Sequence, residues 1–552
     1  MEKLKPKLFS VMKTYTKEQF IKDVIAGIIV AIIALPLSIA LALASGVGPE
    51  QGIYTAIVAG FLISFFGGSR VQIAGPTAAF ATIVAGIVAE KGMEGLILAT
   101  VIAGMILVLM GVLRLGNLIK YIPYTITTGF TAGIAVTIAI GQVKDFLGLT
   151  YPAGTATIET MEKLEAVIKN IATVNWQAVA VGVVCLAILI LWPYVNKTIP
   201  GSLLAVIAGI CMVQFLQMNV NTIGDLYEIS NKLPVLQAPV FTLGSIREIF
   251  PDAFTIAILA AIESLLSCVV ADSMINSKHR SNMELIAQGI GNIGSALFGG
   301  IPATGAIART AANIKNGGRT PVAGMVHALT LVLILVVLMP YAALIPMPCI
   351  AAILFMVAYN MCGWKSFVNL CKSSPKSDVL VLILTFALTV VFDLVVAIEV
   401  GILLTAILFM KRMSDVTEVE GWKYVEEEDD PDSISLRMVP KHTLVYEISG
   451  PMFFAAADKI LKISVREDTR CLVLRMRSVN AIDATAMHSL DQLYDMCNRK
   501  KIQIILSHVN EQPKKVMEKA GFSEKVGEDN FCEHIDMALE RANYLVETKE
   551  NK

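Results

Sequence analysis

Long apolar stretches recur along most of this chain and set the strongest limit on its fold. A helix needs about 20 apolar residues to cross the hydrocarbon core of a bilayer. Twelve stretches meet or nearly meet that length, and they lie near residues 24–46, 51–67, 95–114, 121–142, 176–194, 200–218, 253–273, 283–299, 320–340, 344–363, 378–393 and 395–411. We therefore expect an α-helical integral membrane protein.

The placement of charge indicates two parts in different solvents. Of the 552 residues, 55% are hydrophobic and 16% are charged, whereas a soluble domain is about 25% charged. Charged residues are sparse from Asp23 to Met413 and dense after Lys411, as in the acidic stretch 426–432. We predict four parts, in chain order: a cytoplasmic N-terminal segment (1–22), a transmembrane domain (23–413), a linker (414–440) and a soluble domain (441–547).

Net charge and cysteine usage argue against several classes of function. The formal net charge is −1, whereas a nucleic-acid-binding surface would be basic. The nine cysteines form no CxxC pair and no cluster with histidine, so we expect small buried hydrophobic residues rather than metal ligands. No nucleophile and base can be placed at a shared pocket. We expect neither an enzyme, nor a cofactor, nor a nucleic-acid partner.

Two shorter stretches, near 76–89 and 304–314, are too short to cross a bilayer alone. Each begins close to proline and glycine, in Ala74-Gly75-Pro76-Thr77 and Pro302-Ala303-Thr304-Gly305. Counting them gives fourteen segments, with the short pair at positions three and ten of two halves of seven. Because seven is odd, the second half must enter the membrane inverted. An inverted 7+7 repeat with two half-helices is a recurring transporter plan.

The distribution of lysine and arginine predicts the orientation of the chain. The N-terminal segment and the connections on its side are rich in these residues, whereas the opposite connections, though longer, hold few. Basic connections favour the cytoplasmic side. With an even number of segments, both termini would be cytoplasmic, in a multi-pass protein of the cell's inner (plasma) membrane.

The half-helices predict an anion site. A helix that starts near the bilayer midplane presents unpaired N–H groups and about half a positive charge there, and such ends bind anions. The predicted walls are two short stretches: Gly75, Pro76, Thr77, Ala78 and Ala79, and opposite them Gly305, Ala306, Ile307, Ala308 and Arg309. In the alternative interpretation, these glycines and prolines only kink packed helices.

Two charged residues stand out inside apolar stretches, and such residues are usually functional. Arg309 could attract the anion directly or pair with a nearby carboxylate. Glu263 lies in the run Leu259–Leu265, where burial disfavours its charged form. It could bind a proton for symport or hold a sodium ion with Ser267; the alternative is a permanent ion pair with Arg309.

The soluble part has the pattern of a small α/β domain. Strand-like runs at 443–449, 471–476 and 502–507 alternate with helical patterns at 455–465, 484–498 and 513–520. A last helix is predicted from about 529 to 547.

Several motifs resemble those of the sulfate permeases, the SulP anion transporters whose animal relatives form the solute carrier 26 group. The first-helix stretch Ala34-Leu35-Pro36-Leu37-Ser38-Ile39-Ala40 is similar to the family signature, as are the third segment around Pro76 and the tenth around Arg309. The tail, with Ile482-Asp483-Ala484-Thr485-Ala486, resembles a STAS domain. The resemblance covers nearly the whole chain.

The resemblance implies a core domain that moves against a gate domain like an elevator, in a protein that is often a homodimer. It adds Pro36, Leu37 and Ser38 to the substrate site. It also makes Asp483 and Thr485 regulatory candidates: Thr485 lies where antagonist proteins of this fold carry a phosphorylated serine, although an ordinary helix start is the alternative. A cytoplasmic protein could then bind the STAS domain.

The function expected is secondary active transport of a small anion, with sulfate favoured and a proton as the coupling ion. Many relatives carry glutamine where this chain has Leu37, and some lack the arginine, so Arg309 favours a strongly charged anion. A bicarbonate or C4-dicarboxylate carrier is the nearest alternative. An uncoupled anion channel and a STAS-linked membrane sensor are alternatives of another class.

Overall fold

The computed structural model describes residues 4–117, 123–152, 155, 157, 159–195, 200–237, 243–392, 394–421, 439–456, 458–461, 463–466 and 468–550. The chain divides into two compact units, Met1–Ile402 and Leu403–Lys552. The acidic stretch predicted to be a linker, 426–432, lies outside the described residues.

The first unit is almost entirely helical. Its helices, the last of which ends in the second unit, are α1 (Leu8–Val11), α2 (Lys17–Ala44), α3 (Pro49–Phe66), α4 (Ala78–Val112), α5 (Tyr124–Leu147), α6 (Thr160–Lys169), α7 (Trp176–Val195), α8 (Gly201–Phe215), α9 (Ile223–Leu226), α10 (Leu243–Ile275), α11 (Ser281–Leu297), α12 (Ile307–Lys315), α13 (Val322–Ala342), α14 (Met347–Cys362), α15 (Trp364–Ser373), α16 (Lys376–Val391) and α17 (Leu394–Val416). Two short strands, β1 (Ala74–Gly75) and β2 (Thr304–Gly305), pair with each other. In the described part of the chain, seven helices are long and apolar enough to cross a membrane by themselves.

The fourteen predicted segments are all present as helices, which confirms the predicted fold class. Helix α4 supplies the third and fourth segments, because its backbone leaves the helical conformation at Gly92, with φ 68° and ψ −174°. A positive φ is accessible to glycine at little cost. The tenth segment, α12, has nine residues and is therefore only about 14 Å long, which makes it a half-helix.

The helices of the first unit pack as two groups. The core group comprises α2, α3, α4, α10, α11, α12 and α13. The gate group comprises α5, α7, α8, α14, α15 and α16. Helix α17 packs with the gate group, since a Cβ added at Gly401 would lie 2.9 Å from Thr385 Oγ1 of α16.

A buried carboxylate joins two helices of the core group. Asp23, near the start of α2, accepts hydrogen bonds from the backbone N–H of Arg319 at 2.9 Å and from the hydroxyl of Tyr15 at 3.0 Å. It also accepts from the hydroxyl of Thr320, which lies two residues before α13. These bonds hold the start of α13 against α2.

The second unit contains a five-stranded sheet in the order β3-β4-β5-β6-β7. Its elements after α17 are β3 (Glu418–Gly421), β4 (Thr443–Ser449), α18 (Asp458–Leu461), β5 (Cys471–Ser478), α19 (Ala484–Arg499), β6 (Gln503–Ser507), α20 (Glu511–Lys519), α21 (Phe522–Val526), β7 (Phe531–Cys532) and α22 (Ile535–Glu550). In this sheet β3 pairs antiparallel with β4, and the pairs β4–β5, β5–β6 and β6–β7 are parallel. Because side chains alternate along each strand, Leu472 and Leu474 pack toward α19, whereas Val473 packs toward α22.

The boundaries differ from the predicted ones where polar residues continue a helix or where a strand is very short. Helix α10 begins at Leu243, not near 253, because its first turns are polar and invisible to hydropathy. Strand β3 falls in the range predicted as a linker. The last helix begins at Ile535, not near 529, since Phe531 and Cys532 pair with β6.

Candidate functional site

The two half-helices begin at the crossing of β1 and β2. The antiparallel pairing places Ala74 opposite Gly305 and Gly75 opposite Thr304. The backbone N–H of Ala306 also donates to the carbonyl of Ile73 at 2.9 Å. The residue before a proline is pushed toward an extended conformation, so Gly75, which precedes Pro76, continues the strand before helix α4 can start.

The N-termini of both half-helices lack a side-chain cap. Helix α4 begins after Thr77 and α12 after Ala306; both preceding residues are extended, and neither side chain accepts a bond from its helix. The first N–H groups of each helix therefore carry the positive end of the helix dipole. Ala78 is buried, whereas Ile307 is 41% exposed. The side chain of Ile307 is thus accessible within a largely buried region.

Glycine leaves room for neighbouring side chains at two positions of the crossing. A Cβ added at Gly305 would lie 1.4 Å from Nε2 of Gln72, and one added at Gly75 would lie 2.4 Å from Nη1 of Arg309. Both distances are far below a van der Waals contact. The glycines therefore allow the side chains of Gln72 and Arg309 to lie close to the two strands.

For the anion transport that the sequence predicts, we expect Gly305→Ala to lower uptake strongly, because the added methyl group overlaps the side chain of Gln72 and must displace it from its hydrogen bond to the carbonyl of Ser264. The matched control is Gly86→Ala in the first part of α4, since a Cβ at Gly86 meets no atom within 4 Å. Anion uptake into liposomes, with the amount of folded protein measured by size-exclusion chromatography, checks this. Normal uptake by Gly305→Ala would contradict the close approach described above.

Arg309 connects the two half-helix starts. Its Nη2 donates to the carbonyl oxygen of Pro76, in the opposite wall, and the residue is 3% exposed. Its Nη1 has no hydrogen-bond partner. The arginine thus brings a full positive charge to the place where the two helix dipoles converge, and it keeps one donor unused.

Glu263 of α10 forms a hydrogen bond with Thr77, in the predicted wall formed by residues 75–79. Its Oε2 accepts a hydrogen bond from the hydroxyl of Thr77 at 2.9 Å, and its side chain is partly exposed. No ion pair joins Glu263 to Arg309, although the structure describes both residues. The geometry therefore differs from the permanent ion pair considered as an alternative: Thr77 contacts the carboxylate, and Arg309 contacts the backbone.

Ser267 lies one turn after Glu263 but faces a different group. It is 1% exposed, and its hydroxyl donates to Oγ1 of Thr310 at 3.5 Å. Thr310 in turn accepts from the backbone N–H of Ile73 at 3.0 Å. The structure gives no contact between Ser267 and the carboxylate of Glu263, so a shared sodium site stays a prediction.

The predicted first-helix residues lie in the second half of α2. Pro36 is inside the helix, Leu37 is partly exposed, and Ser38 is buried with its hydroxyl unpartnered. None of these three described residues forms a hydrogen bond or an ion pair with Thr77 or Arg309. Their place in the substrate site stays a prediction.

A buried polar framework behind the crossing was missed by the sequence interpretation. Gln72 donates to the carbonyl of Ser264 at 3.3 Å, and Asn292 donates to the carbonyl of Ala303 at 2.9 Å. Glu284 is fully buried and accepts from the backbone N–H of Gly68 at 2.8 Å. Uncharged polar residues inside apolar stretches could have indicated this framework from the sequence, because buried polar groups need hydrogen-bond partners.

In the soluble unit, Asp483 is the N-cap of α19. Its Oδ1 accepts from the backbone N–H of Ala486 at 2.8 Å, and its Oδ2 accepts from that of Phe454 at 2.8 Å. Thr485 is exposed in the first turn of α19. Asp483, not Thr485, therefore starts the helix, and the free position of Thr485 leaves phosphorylation as a prediction.

Substitutions at Asp483 test its two hydrogen bonds, to Ala486 and to Phe454, one at a time. We expect Asp483→Ala to speed hydrogen exchange of the Ala486 amide about fivefold, because an N-cap contributes about 1 kcal/mol. Asp483→Asn keeps one carbonyl oxygen, so it should protect Ala486 but not Phe454. Hydrogen–deuterium exchange of the full-length protein measures both amides. Unchanged exchange in Asp483→Ala would contradict the capping role.

Sequence comparisons identify relatives that match nearly the whole chain. The sequence profile of the sulfate permease family matches residues 20–385, and that of the STAS domain matches residues 434–541. A putative sulfate transporter of Bacillus subtilis, YvdB, is 40% identical over 536 residues, which cover 95% of this chain and 98% of the relative. The bicarbonate transporter BicA of Picosynechococcus is 31% identical over 542 residues, 94% of each chain.

A solved structure shows the same fold. The murine anion transporter Slc26a9, of the solute carrier 26 family, in its inward-facing state, matches with a TM-score of 0.87 over 98% of this chain and 94% of that one. The identity is 19%, so this likeness concerns the fold alone. The matched 98% of this chain includes residues of both compact units.

Proposed function

The chain belongs to the sulfate permease family of membrane transporters, and we propose that it is a secondary active transporter that moves sulfate together with protons. The transported anion binds between the starts of α4 and α12. The core group carries it across the membrane by an elevator-like movement against the gate group.

One observation carries this proposal: the two uncapped half-helix starts meet at the β1–β2 crossing, with Arg309 between them. Two helix N-termini and one guanidinium together favour an anion. The unused Nη1 of Arg309 supplies a hydrogen-bond donor in a buried site, where an unpaired donor is costly. An anion oxygen would satisfy it.

The contact of Glu263 with Thr77 supports proton coupling. Thr77 belongs to the anion wall, and its hydroxyl donates to the carboxylate. A negative carboxylate next to the anion would repel it, whereas a protonated one would not. Binding of a proton at Glu263 therefore favours binding of the anion, which is the linkage that symport requires.

The packing of the helices supports the elevator movement. The helices that supply the proposed site, α4, α10 and α12, all belong to the core group. The core group can therefore carry the whole site without rearranging it, while the gate group forms the surface against which it moves.

The test is uptake of labelled sulfate into liposomes that contain the purified protein. We expect uptake to rise several-fold when an inward proton gradient is imposed, and unlabelled sulfate and selenate to compete. Fumarate and chloride serve as further competitors, and liposomes without protein give the background. Absence of sulfate uptake, together with clear uptake of another anion, would overturn the substrate assignment.

Bicarbonate is the second candidate, because the relative BicA of Picosynechococcus carries the name of a bicarbonate transporter. The same liposomes distinguish the two. If bicarbonate is the substrate, excess bicarbonate will suppress sulfate uptake completely and labelled bicarbonate will itself be taken up. If sulfate is the substrate, sulfate uptake will continue when bicarbonate is in excess over sulfate.

A further inference from the structure

Helix α15, which links α14 to α16, turns away from the helix before it. Gly363 lies between α14 and α15 and has φ 57° and ψ 38°. This left-handed conformation suits glycine, which pays no penalty for a Cβ there. The ten-residue helix α15 is about 15 Å long, too short to cross a bilayer, so it is placed as a connection between two membrane segments.

The two sides of α15 differ in chemistry. Trp364, Phe367, Val368 and Cys371 follow the spacing i, i+3, i+4, i+7 and therefore share one face. The ring of Phe367 packs 5.5 Å from that of Phe386 in α16. Trp364 remains 63% exposed. The apolar face is thus partly packed on the gate group and partly open at its first residue.

One flank of the apolar face is basic. Lys365 and Lys372 are seven residues apart, about two helical turns, and both are exposed, as is Lys376 at the start of α16. None of these three described lysines forms an ion pair with another described residue. No aspartate or glutamate occurs from residue 358 to residue 377, and the nearest carboxylate in sequence after the lysines is that of Asp378 in the first turn of α16.

An amphipathic helix with a basic face and a tryptophan lies in the interface of a bilayer and attracts anionic lipids. Free lysines near a membrane surface are complemented by phosphate-bearing headgroups. The connection between the twelfth and thirteenth segments also lies on the side predicted to be cytoplasmic, where such headgroups are enriched. The positive charge of these lysines is therefore complementary to the phosphate-bearing headgroups of anionic lipids.

We propose that Lys365, Lys372 and Lys376 bind the headgroups of anionic phospholipids and so anchor the gate group to the cytoplasmic leaflet. Helix α15 packs on α5 and α16, both in the gate group, so the anchor acts on that group. The inference rests on the orientation predicted from the distribution of lysine and arginine, but it does not depend on which anion is transported.

The test titrates phosphatidylglycerol into the full-length protein in mixed micelles and follows its melting temperature. Phosphatidylcholine is titrated in parallel. We expect phosphatidylglycerol to raise the melting temperature of the wild type, and phosphatidylcholine to leave it unchanged. The variant Lys365→Gln/Lys372→Gln/Lys376→Gln should bind phosphatidylglycerol roughly 100-fold more weakly, given the attraction of each lysine to an anionic surface.

The matched control removes three exposed lysines of the soluble unit, in the variant Lys500→Gln/Lys514→Gln/Lys519→Gln, and should keep the wild-type affinity. The proposal is overturned if the α15 variant binds phosphatidylglycerol as tightly as the wild type. It is also overturned if phosphatidylcholine stabilises the wild type equally. Because the readout is lipid binding without transport, failure here leaves the proposed transport untouched.

Discussion

The Glu263→Gln protein will bind sulfate but will lose the uptake that a proton gradient drives. Glutamine keeps a carbonyl oxygen that can accept the bond from the Thr77 hydroxyl, which the wild-type carboxylate accepts at 2.9 Å. It cannot, however, take up or release a proton in the physiological range. Uptake with an inward proton gradient should therefore fall to the level measured without one, while exchange of internal for external sulfate should continue.

The control for this prediction is Thr77→Val, which removes the hydrogen bond and leaves the carboxylate. It should weaken sulfate binding and retain the stimulation by protons. Proteoliposomes with and without the gradient, loaded or not with unlabelled sulfate, separate driven uptake from exchange. If Glu263→Gln retained full gradient-driven uptake, the coupling role of Glu263 would be wrong.

Replacing Arg309 with glutamine should weaken sulfate binding roughly 10- to 100-fold, because a hydrogen bond to a charged group contributes about 1.5–3 kcal/mol. The substitution removes the positive charge between the two half-helix starts and the bond to the carbonyl of Pro76. Arg309→Lys should lose less affinity, since it keeps the charge but not the planar pair of donors. Binding of labelled sulfate to the purified protein measures the difference.

Arg247→Gln is the matched control, because Arg247 is exposed in the first turns of α10. It should bind sulfate as the wild type does. Binding of sulfate to Arg309→Gln with wild-type affinity would show that the arginine holds the two walls together without contributing to the anion site.

The membrane architecture could be predicted from the sequence because its cause is local. Each crossing requires about 20 apolar residues, and the short stretches before Ala78 and Ile307 are marked by glycine and proline. The matching positions of these stretches then indicate an inverted repeat, and the antiparallel pairing of Ala74 with Gly305 agrees with it.

The details of the site could not be predicted because they depend on contacts between distant residues. Nothing near Thr77 in sequence indicates that its hydroxyl would donate to Glu263, which lies 186 residues away. Likewise, the partner of Arg309 is a backbone carbonyl, which carries no residue-specific signal. Glu284 was missed since it lies at the end of an apolar stretch, where a charge is expected to be solvated.

In the second unit, too, the edge of the sheet depends on contacts that the sequence pattern does not indicate. The strands β4, β5 and β6 follow clear apolar runs and were predicted. Strand β7, with two residues, is defined by its pairing with Leu506 and Ser507 and not by any pattern of its own.

The central claim is that the anion binds between the starts of α4 and α12, and the most direct measurement is to locate it. Selenate, a heavier analogue of sulfate, gives an anomalous signal in crystals of the protein. We predict a peak within hydrogen-bond distance of the backbone N–H groups that follow Thr77 and Ala306, near Nη1 of Arg309. A protein that binds selenate in solution but shows its peak away from these half-helix starts would contradict the proposed site.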